Sequence, residues 1–99
     1  MNSADAIKLA ILLDRIQELA TAIDAPLDCE VGKRFIRLVT GEPGHRHVHA
    51  FVEIATGDLL KAAGWKAPAK GARGNLIDDT SFQHILTIAD KYGSYLYKR

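Results

Sequence analysis

Apolar residues recur at helical spacing through the first quarter of the chain. Leu9, Leu12, Leu13, Ile16, Leu19, Ala20 and Ile23 fall on one stripe. That stripe predicts an amphipathic helix capped by Ser3, running to about Asp24 and stopped by Pro26. Ile7 and Ile11 fall on the opposite side, beside Asp14 and Glu18. Two isoleucines there either pack under another element or meet a partner.

From Glu30 the period changes to two. Val31 to Thr40 reads as a strand, Gly41-Glu-Pro-Gly44 as a turn, and His45 to Ala55 as the returning strand. Ile36 and Leu38 share a face, as do Val48, Ala50, Val52 and Ile54. Matching those faces places Ile36 near Val48, Arg37 by His47, Phe35 by His49 and Lys33 by Phe51. The parity of this pairing is strongly constrained, because a slip of one residue turns every side chain over. Thr56-Gly57-Asp58 predicts a second tight turn, and Leu59 to Ala62 a short third strand. An aperiodic loop then runs to Asn75. Thr80-Ser-Phe-Gln83 has the pattern of a capping box, which predicts a helix to Tyr92 burying Phe82, Ile85, Leu86 and Ala89. Gly93 suits the position past its end, and Ser94 to Lys98 reads as a final edge strand.

The predicted fold class is α+β. A small antiparallel sheet of three or four strands carries the N-terminal helix and a second helix packed on one face. The chain of 99 residues is read as a single domain. Residues 1–28 hold the N-terminal helix, and residues 29–99 hold the hairpin, the Gly- and Lys-rich loop, the helix and the terminal strand.

Charge changes the picture more than overall composition does. The net charge is +1, but residues 1–30 carry two cations against six carboxylates, and residues 31–75 carry eight cations against three. The middle of the chain is therefore where an anionic partner is expected. Cys29 is the only cysteine, which excludes an internal disulfide and fits a reducing compartment. No secretory signal or membrane span is read in the chain, and a cytoplasmic location without membrane association is expected.

The segment Lys61 to Asn75 concentrates the candidate chemistry. It contains four cations and the only tryptophan among glycines, alanines and one proline, with no carboxylate. Lys61, Lys66, Lys70 and Arg73 each suit a phosphate contact, and Trp65 offers a stacking plate for a base. Gly64, Gly71 and Gly74 allow close backbone approach, and Asn75 suits a cap or a ligand hydrogen bond. Arg34 and Arg37 add charge from the hairpin. The glycine spacing is neither that of a Walker A loop nor that of a dinucleotide fingerprint. The alternative is a surface loop whose Trp65 plugs the core.

Lys33, Phe35, Arg37, His47, His49 and Phe51 interleave aromatics with cations on one predicted face, as single-strand-binding sheets do. The other reading of that face is burial under a helix or at a dimer contact. His45, His47 and His49 alternate along one strand. Successive ones lie about 6–7 Å apart, too far for all three to meet one metal. His47 and His49 remain weak metal candidates, and no metal or other cofactor is assigned. No Ser/His/Asp set or paired carboxylates stand out, so no catalytic residue is assigned and a non-enzymatic protein is expected.

The run from Phe51 to Asn75, with its Thr56-Gly57-Asp58 turn and its Trp65-Lys-Ala-Pro-Ala-Lys70…Arg73-Gly-Asn75 loop, resembles a group of small tailed-phage and prophage proteins. Arg34-Phe-Ile-Arg37 and Tyr92-Gly-Ser-Tyr-Leu96 are similar too. Glu53 stands where that group usually has Asp, and Gly64 precedes the tryptophan where Ser is common. The first helix lies outside the likeness. The resemblance implies a phage-encoded protein acting in the bacterial cytoplasm, and transfers no catalytic role. The expected function is binding of a phosphate-containing nucleotide ligand, with capture of a host defence signal as its phage context. A homodimer would be one way to wall such a pocket. The alternatives are a nucleic-acid-binding accessory protein, and a protein-protein inhibitor of a host enzyme that uses Ile7 and Ile11.

Overall fold

The computed structural model describes residues 2–97. Helix α1 spans Ser3–Ile23. Its cap is Asn2, whose side chain accepts a hydrogen bond from the Asp5 amide at 2.9 Å, so Ser3 is the first helical residue and not the cap. The helix ends at Asp24, which turns left-handed at φ 55°, two residues before Pro26. Leu12, Ile16, Leu19, Ala20 and Ile23 are buried as the stripe predicts, with Leu9 and Leu13 at its margin. Ile7 and Ile11 are exposed.

Five antiparallel strands follow in sequence order across one sheet: β1 Asp28–Val31, β2 Phe35–Glu42, β3 His45–Glu53, β4 Asp58–Leu60 and β5 Gly74–Asn75. The expected strand from Val31 to Thr40 is in fact the meeting of two. Gly32, Lys33 and Arg34 form a tight reversal closed by the Gly32 amide donating to the Phe35 carbonyl at 2.9 Å. Lys33 therefore belongs to a turn and does not face Phe51 across a ladder.

From Phe35 to Leu38 the β2–β3 hairpin keeps the predicted parity but slides by four residues, and from Val39 to the turn it slides by three. Ile36 pairs with Val52, Arg37 with Phe51 and Phe35 with Glu53. Three residues of the slide are set at the turn and the fourth at a bulge. Pro43 and Gly44 alone make the reversal, with Gly44 at φ 87°, so Glu42 pairs with His45 and β2 runs past Thr40 to Glu42. A bulge between Leu38 and Val39 gives β3 one extra residue, His49, which lies opposite no single partner. The bulge breaks the alternation of His45, His47 and His49. His49 is buried, while His45 and His47 are exposed.

Helix α2 spans Asp79–Ile88 and buries Phe82 and Ile85, with Leu86 and Ala89 half-buried. No capping box forms, and Asp78 occupies the cap position without a side-chain bond. The helix stops four residues short of Tyr92. The Asp90 carboxylate accepts from the Tyr92 and Ser94 amides and from the Ser94 hydroxyl, offering the backbone an alternative to the helical ladder. Ser94–Leu96 then forms a single 3-10 turn in place of the expected edge strand, whose last residue, Lys98, lies outside the described residues.

The architecture is α+β, with five strands where three or four are expected from the sequence. Leu12, Ile16 and Leu19 of α1 and Phe82 and Ile85 of α2 join Ile36, Leu38, Ala50, Val52 and Leu59 of the sheet in one apolar cluster. Both helices thus cover the same sheet face. Among the described residues no helix is long and apolar enough to cross a membrane.

Candidate functional site: a basic, aromatic groove

The opposite sheet face presents Phe35 and Arg37 from β2 and Phe51 from β3. Alternation along the strands requires this once Ile36, Leu38 and Val52 face the core. The segment after β4, read as an aperiodic loop, is a short hairpin finger. Ala62 bridges Pro68, the Ala69 amide donates to the Lys61 carbonyl at 2.7 Å, and the Ala63 amide donates to the Ala67 carbonyl at 3.0 Å. Trp65 and Lys66 occupy its tip. The tip reaches back to β2, where Arg37 Nε donates to the Trp65 carbonyl at 2.8 Å.

Arg37 organises this region. Its Nη1 donates to Glu30 Oε1 at 2.8 Å, across the β1–β2 ladder. Its guanidinium carbon stands 5.4 Å from the Trp65 ring centroid and 5.9 Å from that of Phe51. Such contacts are worth about 0.5–1 kcal/mol each at exposed positions. Phe35 meets Phe51 edge to face at 6.1 Å, and Arg34 lies 4.9 Å over the Phe35 ring while its Nε pairs with Glu53 Oε2 at 3.0 Å. Trp65 is 46% exposed, so it does not plug the core.

Two open grooves flank the Phe35 ring. The first, of about 260 Å³, is lined by Lys33, Arg34, Arg37 and Lys66, by the rings of Phe35 and Phe51, and by one carboxylate, Glu30. Among the described residues, Lys33 and Lys66 have no ion-pair partner. The second groove, of about 540 Å³, shares Arg34 and Phe35 and adds Glu53, Asp58, Leu60, Pro68 and Lys70.

The remaining sequence candidates lie elsewhere or are engaged. Arg73 Nε donates to the Leu96 carbonyl at 2.8 Å, and its Nη1 donates to the carbonyls of Lys70 and Gly71, tying the base of the finger to the C-terminal turn. Asn75 Nδ2 donates to the Thr56 carbonyl at 2.8 Å and to Asp58 Oδ1 at 2.9 Å, while its Oδ1 accepts from the Ile77 and Asp78 amides, each at 2.8 Å. The first turn of α2 is therefore held from Asn75. Lys61 sits on the far flank of the finger, 4.6 Å over the Tyr97 ring.

His47 and His49 line a separate cavity of about 100 Å³ with Lys61, Tyr92 and Tyr97. His49 Nε2 lies 2.7 Å from the Tyr95 hydroxyl. Burial pulls the His49 pKa down from 6.5 to about 4, against the opposing charge of Asp90 and with a smaller push from His47. Burial, then Asp90, pushes the Tyr95 hydroxyl far up. With both groups neutral, Tyr95 donates and Nε2 accepts. Among the described residues no set of three or more His, Cys, Asp or Glu side chains is arranged to hold a metal ion.

Sequence reasoning did not place Glu30, Glu53 and Asp58 in the grooves. Glu30 was hidden because β1 lacks a period-two apolar pattern and its pairing with β2 depends on the Gly32 reversal. Glu53 and Asp58 bracket a legible turn. Their position beside Phe35 follows only from the corrected hairpin register.

The fold and site together define a small α+β meander domain with two helices on one sheet face and a basic, aromatic-lined groove on the other. The chain belongs to DUF7717, a family of unknown function, whose family model matches residues 5–98. Neither the curated proteins nor the solved structures contain a match to it.

Proposed function

We propose that this protein is a non-enzymatic binder of a phosphate-bearing nucleotide ligand, seated in the first groove. One observation carries the reading: four cations converge with one carboxylate on a groove walled by two phenylalanine rings. Lys33 and Lys66 are exposed and lack ion-pair partners among the described residues, so an arriving phosphate displaces water and no internal bridge. Arg37 is held by Glu30 and by the Trp65 carbonyl, which fixes its position before the ligand arrives. The half-buried Phe35 ring and the exposed Trp65 ring supply stacking surface, worth about 1–3 kcal/mol per base where it forms, while the buried Phe51 ring backs the groove floor. Lys70 adds charge from the second groove, while Arg73 and Asn75 support the finger and α2. The resemblance to phage proteins gives such a binder a role in the bacterial cytoplasm, capture of a phosphorylated host signal.

A second reading is a single strand of nucleic acid. The observation in its favour is that the two grooves share Arg34 and Phe35 and both open onto the surface, leaving room for a chain to continue. Salt separates the two. A strand releases several counterions and its affinity falls steeply with ionic strength, whereas one nucleotide shows a shallow slope.

The test uses Trp65 fluorescence during titration with mononucleotides, cyclic nucleotides and short oligonucleotides at two salt concentrations. Saturable quenching is expected from the wild type. The pair Lys33→Glu and Lys66→Glu turns the groove's formal balance from +3, four cations against one carboxylate, to −1, two against three. That variant should lose the response with an unchanged thermal midpoint. Silence of the wild type toward every nucleotide and oligonucleotide sinks both readings.

A further inference from the structure

We infer that the second groove receives the base of the bound nucleotide and selects bases that carry an exocyclic amino group. This rests on the nucleotide-binding reading above and adds the ligand's orientation and chemical subclass. The two grooves differ in charge. The first sets four cations against Glu30, whereas the second sets Arg34 and Lys70 against Glu53 and Asp58 and is formally neutral. A phosphate in the second groove meets two carboxylates, so it gains little there and belongs in the first. A flat neutral group meets no such repulsion.

The walls of the second groove suit that group. Phe35, Leu60 and Pro68 give it apolar sides, and its volume of about 540 Å³ is within the ordinary range for small-ligand sites. Arg34 borders both grooves, so a ligand with its phosphate on one side of this residue and its base on the other spans the pair.

The carboxylates set the selectivity. Glu53 is engaged on both oxygens, by Arg34 Nε and by the Thr56 hydroxyl, each at 3.0 Å. Asp58 Oδ1 accepts from Asn75 Nδ2 at 2.9 Å, and its other oxygen has no partner among the described residues. The Asp58 backbone pairs with Asn75 and its Oδ1 is held by the Asn75 side chain, which restrains the carboxylate and leaves the other oxygen as an acceptor. An ionised carboxylate only accepts hydrogen bonds. Cytosine N4 and adenine N6 donate, while uracil and hypoxanthine place a carbonyl oxygen at the same edge, which a carboxylate repels.

Equilibrium titration with four nucleoside monophosphates tests this. CMP and AMP should bind roughly tenfold more tightly than UMP and IMP, the discrimination of one good base-edge contact. Asp58→Asn keeps an acceptor for Asn75 but lets the side chain donate, and it should collapse that ratio toward one while all four nucleotides still bind. Equal binding of the four by the wild type overturns the inference and leaves the nucleotide-binding reading intact. A ratio that survives in Asp58→Asn also overturns it. Failure of all four, together with every other nucleotide and oligonucleotide, removes the nucleotide-binding reading itself.

Discussion

His49 gives the protein an acid-sensitive stability whose size can be worked out. The imidazole is buried against Tyr95, and its pKa is lowered from 6.5 to about 4. In the unfolded chain the same group takes a proton near pH 6.5. Between those values the unfolded state binds more protons than the folded one, so stability rises with pH. The contribution is fully present above pH 6.5 and is lost as the pH falls toward 4. At pH 5 the two pKa values give a loss of about 2 kcal/mol relative to pH 7.5. That is a large part of the stability of a small domain. Urea unfolding followed by circular dichroism should show the midpoint falling by about 1–2 M between pH 7.5 and pH 5. Few carboxylates titrate above pH 5, so the window isolates histidines. His45, His47 and His84 are exposed. His49→Gln removes the titrating group and should flatten the profile over this window. A wild-type midpoint that does not move, or a variant with the same slope as the wild type, refutes the reasoning.

Three further outcomes are expected. Asn75→Ala removes four side-chain hydrogen bonds that join the β3–β4 turn, β4 and the start of α2, and should cost about 2–4 kcal/mol in chemical denaturation. Gly57→Ala places a Cβ 2.5 Å from Ile77 Cγ1 at a backbone φ of 80°, and should lower stability by at least about 1–2 kcal/mol, read as a drop in thermal midpoint. Arg37→Ala removes the hydrogen bond and the cation that hold the finger tip, so Trp65 emission should shift to the red and become more accessible to iodide, with little change in far-UV circular dichroism.

The apolar periods made α1, the main hairpin and the core of α2 legible. Leu12, Ile16, Leu19, Phe82 and Ile85 are buried where spacing puts them. Elements fixed by single polar side chains were harder to read. Asn2 and Asn75 hold the starts of the two helices, and Asp90 ends the second, each through side-chain bonds with no periodic signature. The hairpin register depended on whether two or four residues make the turn at Pro43, and on a bulge that no pattern announces. For the site, the cation-rich segment around Trp65 was visible in composition, as was the interleaved Phe35, Arg37 and Phe51 row. Their convergence was not visible, because it requires the finger to fold back over the sheet. Nor could composition separate Lys66, which faces the groove, from Arg73, which braces the finger's base.

No residue between Lys61 and Asn75 belongs to the apolar cluster that holds the sheet to its helices. The finger therefore adds no apolar packing to the layer beneath it, while Phe35, Arg37 and Phe51 alternate along β2 and β3 with the residues that build that layer. Selection can lengthen, shorten or recharge the finger while the packed layer beneath it stays unchanged. Arg37 and Arg73, together with Asn75 at the end of the segment, are the side chains through which the finger and the packed layer must still agree, and drift around the tip is inexpensive. Relatives that diversify their ligands are expected to vary around Trp65 and Lys66 first, and to keep those two arginines.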